Sequence, residues 1–243
     1  MPWEASGSLP IEPRNCLTPI REVPKRRKVS FIDSIFQTVP GLSLQTEAFV
    51  LLKRPAADAF QSFELFSAEA GALRAMQRVA KRAAEGKEAL DLFDEADLRL
   101  ESGNQGRTWF VREVRLIERH TAIGRSYDAL RFASGLAAVV ARNSVHEDSR
   151  GRLAELLRAA FTAFGSGTRP DVVYLKSLYR FARDEGYPVK EEWLPALRSS
   201  ERALCAALLN RPLAEQTAGA EDAARLTRSL ENYLRGHTDI LIE

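Results

Sequence analysis

The chain has 243 residues, 45% of them hydrophobic and 28% charged, a balance that suits a globular protein of one large or two small domains and gives no ground for overall disorder. Lys and Arg number 35 against 33 Asp and Glu, so the formal net charge is only +2. Affinity for a polyanion must then come from clustered cations, not from the field of the whole molecule. Cys16 and Cys205 stand far apart without metal-ligand spacing, which excludes a sequence-encoded metal cluster and reads as two free thiols. The longest apolar runs, such as residues 135–141, are too short to cross a bilayer, and the first residues lack a charged start followed by an apolar core, so the cytoplasm is the expected location and no membrane partner is expected.

Residues 1–45 hold Pro2, Pro10, Pro13, Pro19, Pro24 and Pro40 with no sustained period, which predicts a basic, poorly ordered arm. Within it, Lys25-Arg26-Arg27-Lys28 reads as a plain electrostatic run, and Phe31, Ile32, Ile35 and Phe36 have the spacing of a short docked helix.

Apolar and basic residues then alternate, a pattern that puts apolar side chains on one face of a sheet and cations on the other. Five strands are predicted, at 47–54, 59–67, 71–81, 89–101 and 107–118. The separators have turn chemistry, most clearly Ser102-Gly103-Asn104-Gln105-Gly106. The third segment is rich in alanine, and its propensity also allows a helix over 73–84.

After Arg119 the period becomes 3.6. Tyr127, Leu130, Phe132, Leu136, Val139 and Val140 line a first helix with Ser126 as its cap, and Leu153, Leu156, Leu157, Ala160, Phe161 and Phe164 line a second that stops at Gly165-Ser166-Gly167. Asp171 is the expected cap of a third, and further helices are predicted at 199–210 and 220–235. The fold class is therefore α+β: an N-terminal OB-fold-like five-stranded β-barrel over 46–118 followed by an all-α helical bundle over 119–243.

Such a barrel binds oligonucleotides through a groove that tracks phosphates and aromatic faces on which bases stack. Lys53, Arg54, Arg74, Arg78, Lys81 and Arg82 are the leading phosphate contacts, with Arg107, Arg112 and Arg115 as a second row. Phe60, Trp109 and Phe110 are the aromatic candidates, although barrel core is the simpler account of all three. His120, His146 and His237 are isolated, and no phosphate loop of the G-x-x-x-x-G-K-[ST] kind occurs. Asp91, Asp94, Glu95 and Asp97 form the one dense acidic patch and read as surface charge. No catalytic residue and no cofactor is expected.

Particular stretches carry a family resemblance: residues 48–54 (Ala-Phe-Val-Leu-Leu-Lys-Arg) as a first strand with a basic end, 63–74 as a second strand, turn glycine and third strand, Val79-Ala80-Lys81, the passage from Phe110 to Tyr127, Leu175-Lys176-Ser177-Leu178 leading to Gly186-Tyr187-Pro188, and Leu230-Glu231-Asn232-Tyr233-Leu234 near the end. Over about 46–238 the chain resembles the RecO family of bacterial recombination mediators. It departs from the family pattern at Arg82, where many relatives have glycine, at Asp58, which stands alone for an acidic pair, in the long arm, and in residues 189–195, which lack the zinc-binding cysteines of many relatives. The resemblance implies a DNA repair protein of the nucleoid that binds single- and double-stranded DNA, anneals strands, engages the acidic, apolar tail of single-stranded DNA-binding protein, and works with RecR to load RecA. A groove for that tail needs apolar walls and a basic rim, for which Arg125, Arg131, Lys176, Arg180 and Arg183 are candidates. The competing expectation is an interaction scaffold of the same fold that has lost DNA binding.

Overall fold

The structure, a computed structural model, describes residues 41–57, 59–79 and 88–242. The predicted basic run and short helix of the arm, together with Cys16, Asp58, Lys81 and Arg82, lie outside the described residues.

Five strands, β1 (Leu42–Lys53), β2 (Phe60–Ser67), β3 (Gly71–Arg78), β4 (Glu95–Ser102) and β5 (Trp109–Glu118), close into a barrel in the order β1-β2-β3-β5-β4. Every pairing is antiparallel except β3 with β5. Alternation builds the interior: Ala48, Val50, Phe63, Leu65, Ala75, Ala96, Leu98, Leu100 and Trp109 point inward, and Leu90 joins them from the segment ahead of β4.

β1 breaks the simple alternation, because Ala48, Phe49, Val50 and Leu51 are all buried. Its inner side lies in the barrel while Phe49 and Leu51 face the helices, so a run buried on both sides reads as continuously apolar. A bulge between Val50 and Leu52 then shifts the register against β2.

Two strand starts differ from expectation, and the third strand keeps its predicted type. β1 starts at Leu42, inside the segment assigned to the arm, because its ladder with β4 runs unbroken from Leu42↔Ser102 to Phe49↔Glu95. β4 starts at Glu95 and not at 89, since Asp91–Asp94 is a turn in which Asp94 Oδ2 accepts the Asp91 N–H at 2.8 Å and Phe93 has φ +65°. β3 is a strand as predicted and not the alternative helix, paired with β2 from Ser67↔Gly71 to Phe60↔Arg78; cross-strand pairing outweighs the helical propensity of its alanines. Gly71 turns the β2–β3 hairpin at φ +72° under the Arg150 guanidinium, and a Cβ there would meet Arg150 Cζ at 3.1 Å.

The helices are α1 (Tyr127–Arg142), α2 (Arg150–Gly165), α3 (Pro170–Asp184), α4 (Ser199–Asn210) and α5 (Ala220–His237), with a π-helical turn at Val189–Trp193. Ser126 caps α1 as expected, its Oγ accepting the Ala129 N–H at 3.3 Å. Asp171 does not cap α3. The helix starts at Pro170 after Arg169, whose φ is +48°, and Asp171 sits in the first turn holding the Arg169 guanidinium. α3 is buried at Val172, Val173, Tyr174, Leu175, Leu178 and Phe181, which makes it the central helix, packed on α1, α2, α4 and α5.

Barrel and bundle share one core. Phe161 of α2 lies 5.1 Å from the Phe93 ring and 6.2 Å from the Phe49 ring, and Ile123 closes the same cluster. Both parts belong to one compact unit, Val39–Glu243. No helix among the described residues is long and apolar enough to cross a membrane.

Candidate nucleic-acid interface

The pleat and the register decide which side chains share the outer surface of the barrel. In β2 and β3, Phe63, Leu65 and Ala75 fill the interior, so the even-numbered residues face outward. Opposite one another on that outer face stand Phe60 and Arg78, Ser62 and Met76, and Glu64 and Arg74, while Met76 also faces Phe110 across the parallel pairing with β5. Arg54, at the end of β1, folds over the same face and donates from Nε to Glu64 Oε1 at 3.1 Å, with Arg74 Nη2 3.8 Å from that oxygen. Three predicted phosphate contacts, Arg54, Arg74 and Arg78, are thereby brought to one surface.

Arg107 lies on the β4–β5 loop, three residues ahead of Phe110 in sequence. Among the described residues, no carboxylate lies within ion-pair distance of Arg78 or Arg107, and both are exposed. Glu64 is the one carboxylate amid the β2–β3 residues of this face, so it keeps positive charge in excess.

The adjoining outer face of β4 and β5 is different. Arg112 Nε donates to Glu101 at 2.7 Å, Arg99 Nη1 to Glu113 at 3.1 Å, and Arg115 Nη2 to Asp97 at 3.1 Å, with Gln45 also donating to Asp97. This is a ladder of cross-strand pairs in which each predicted second-row arginine of β5 already holds a carboxylate. Lys53 is elsewhere again: it stands opposite Phe63 in the register, and its ammonium reaches Asp91 at 3.0 Å.

The aromatic candidates divide. Trp109 is 8% exposed and belongs to the barrel interior, as expected of core. Its neighbour Phe110 must then face outward, and so does Phe60. The two rings, on strands separated by β3, lean together with centroids 5.7 Å apart and planes at 72°.

The acidic patch is not surface charge throughout. Asp94 is 0% exposed and Glu95 2%, and each is held by an arginine. Arg119 donates to both oxygens of Asp94, at 3.0 and 2.7 Å, and the carboxylate holds the Arg119 guanidinium above its ordinary pKa. Sequence reasoning missed this because the partners come from the end of β5 and from α2.

A second concavity lies in the bundle. Leu156, Ala159 and Ala163 of α2, Val173 of α3, and Ala206 and Leu209 of α4 wall a groove of about 690 Å³. Lys176, Arg180, Arg183 and Lys190 rim it. Burial lowers the Lys176 pKa, and its ammonium donates to the Arg211 carbonyl at 2.6 Å. Arg180 and Arg183 are steadied by Asp184, at 3.3 and 2.7 Å. The other two rim candidates are not here: Arg131 lies over the Phe132 ring and 3.6 Å from Asp128, and Arg125 ends the short turn before α1.

The histidines form no chemical constellation. His120 is buried against Phe161, 3.6 Å from Glu118, and His237 stacks on Tyr233, whose hydroxyl is pushed up to about 12 by burial and by Glu192. Among the described residues no group of three or more His, Cys, Asp or Glu is placed to hold a metal. No family model matches the chain, and no curated protein matches it in sequence.

Proposed function

We propose that the protein is a non-enzymatic DNA-repair and recombination accessory of the RecO type, acting at the bacterial nucleoid. It binds single- and double-stranded DNA, promotes annealing of complementary strands, and works with RecR to help load RecA onto DNA coated by single-stranded DNA-binding protein. The observation that carries this is the gathering of Arg54, Arg74 and Arg78 on the outer β2–β3 face of an OB-like barrel, with Arg107 on the adjoining loop. In OB folds that face and the loops beside it are where oligonucleotides bind.

The mechanism is electrostatic. Cations that neutralise phosphates release counterions and lower the repulsion between two strands, which speeds pairing without breaking a covalent bond. The groove between α2, α3 and α4 suits the tail of single-stranded DNA-binding protein, since apolar walls take bulky side chains and Lys176, Arg180, Arg183 and Lys190 meet its carboxylates.

Salt titration of binding to a labelled single strand is the test. Four phosphate contacts give a slope of about −3 in log K against log salt, or about a fifty-fold loss between 50 and 200 mM. Annealing of complementary strands is accelerated over the same range and fades with salt. A scaffold that has lost DNA binding is the second account, favoured by the carboxylates that Arg54, Arg112 and Arg115 already hold. It gives a flat response or none.

A further inference from the structure

From Arg119 to the end, the chain carries its fixed positive charges on arginine at every position except two, Lys176 and Lys190. Both of these lysines line the groove between α2, α3 and α4. Arginine serves a purely electrostatic rim at least as well, since it is charged at every pH and grips a carboxylate with two donors. What lysine adds is an amine that can give up its proton and act as a nucleophile.

The two amines differ. Lys190 is exposed, whereas Lys176 is partly buried, and burial lowers its pKa and so favours the neutral form. Its Nζ donates to the Arg211 carbonyl at 2.6 Å, which fixes the direction of the amine and leaves the lone pair of the neutral form unused. Arg180 and Arg183 follow Lys176 one and two turns along α3, hence on the same face. Asp184 steadies both guanidiniums, at 3.3 and 2.7 Å, and Glu155 lies 3.9 Å from Arg180. A guanidinium has five N–H donors, so each keeps some for a second anion.

We propose that Lys176 is a modification site, acylated by small acyl phosphates that the groove holds through Arg180 and Arg183. The neutral Nζ attacks the acyl carbon and an N–C bond forms. The bond from that carbon to the bridging oxygen breaks, and phosphate leaves with the electron pair. The proton lost from Nζ goes to the phosphate, so the products are an amide and hydrogen phosphate. The amide carries no charge, and the rim of Lys176, Arg180, Arg183 and Lys190 then holds three cations in place of four. Acylation thereby weakens capture of an acidic, apolar peptide. That consequence rests on the peptide-binding reading of the groove, whereas the modification itself does not.

The experiment incubates the full chain with acetyl phosphate and follows acetylation at each lysine by mass spectrometry of its peptides. Lys176 is modified about tenfold faster than Lys190, an advantage of a held amine beside a bound donor. Inorganic phosphate competes and slows Lys176. Arg180→Gln slows it toward acetyl phosphate but not toward the N-hydroxysuccinimide ester of acetic acid, whose leaving group carries no phosphate; the ester reaction controls for folding of the variant. Equal rates at the two lysines, or a Lys176 rate indifferent to inorganic phosphate, overturn the site. Calorimetry with a short acidic peptide of apolar C-terminus then shows about a tenfold loss of affinity on acetylation, while treated and untreated Lys176→Arg bind alike. Unchanged affinity of the acetylated chain overturns the regulatory consequence. A peptide that binds neither form removes the groove reading, and the Lys176 rate still decides the modification.

Discussion

Arg158 of α2 reaches across to Glu95 of β4 and holds its carboxylate with both ends of the guanidinium fork, Nε lying 3.2 and 3.0 Å from the two oxygens and Nη2 donating to Oε1 as well. Glu95 is 2% exposed at the side chain and Arg158 46%, so the carboxylate is buried while its partner stays hydrated. The pair sits beside the Phe49–Phe161–Phe93 cluster and fixes the docking of bundle on barrel.

Removing the guanidinium strands a buried charge. Arg158→Ala is expected to cost about 2 kcal/mol, less than for a fully buried pair because Arg158 is half exposed. The double change Glu95→Leu with Arg158→Leu recovers most of it, since two apolar groups leave nothing unpaired. Urea midpoints at constant m decide this, and a loss in the double variant as large as in the single one goes against it.

The arginines of the barrel are expected to separate in salt titrations. Arg78→Ala and Arg107→Ala each reduce the salt slope of single-strand binding by about 0.7, the value for one phosphate contact. Arg115→Ala, whose guanidinium is held by Asp97, leaves the slope at its wild-type value. Equal effects at all three positions show that binding is not confined to the β2–β3 face.

Binding in the groove is separable from binding on the barrel. A short peptide with acidic residues and an apolar C-terminus is expected to bind the wild-type protein, and Arg183→Glu on the rim weakens it about tenfold by setting carboxylate against carboxylate. Calorimetry with the peptide and anisotropy with a DNA strand, run on the same variant, show the first affinity fall and the second stay. A joint fall speaks for a general loss of structure.

Glu231 of α5 gives a pH signature. Burial raises its pKa above the ordinary 4.5, against the opposing pull of Arg235 and of the Tyr174 hydroxyl, which donates to it at 3.3 Å. A carboxyl group with a raised pKa binds its proton more tightly in the folded state, so its contribution is complete below 4.5 and is lost as pH rises through the raised value. Glu231→Gln keeps a neutral group at every pH and flattens that part of the curve. Melting temperatures of the two proteins from pH 4 to 7 converge at the acid end and part toward neutrality.

Local rules made much of this molecule legible before any contact was known. The hydroxyl of Ser126 ahead of an apolar period marks the start of α1, the glycines around Ser166 mark the end of α2, and Ser199–Asn210 has the extent its pattern predicts. The same holds for the tight connection after Ser102, where Asn104 and Gly106 supply turn chemistry. Each of these depends on residues a few places apart, and the chain carries that information directly.

Register and partner choice are long-range, and only the tertiary structure decided them. Alternation says that Trp109 and Phe110 face opposite ways, but which ring enters the barrel depends on Ala75 and Met76 standing beside them from β3. Asp94 and Glu95 look like surface charge until Arg119 and Arg158 arrive from elsewhere in the chain. Arg78 and Arg115 are alike in sequence and differ in the fold, because one stands opposite a phenylalanine and the other opposite an aspartate. Side-chain type is local, but the electrostatic state of an arginine is set by whichever carboxylate the closed barrel brings within 4 Å.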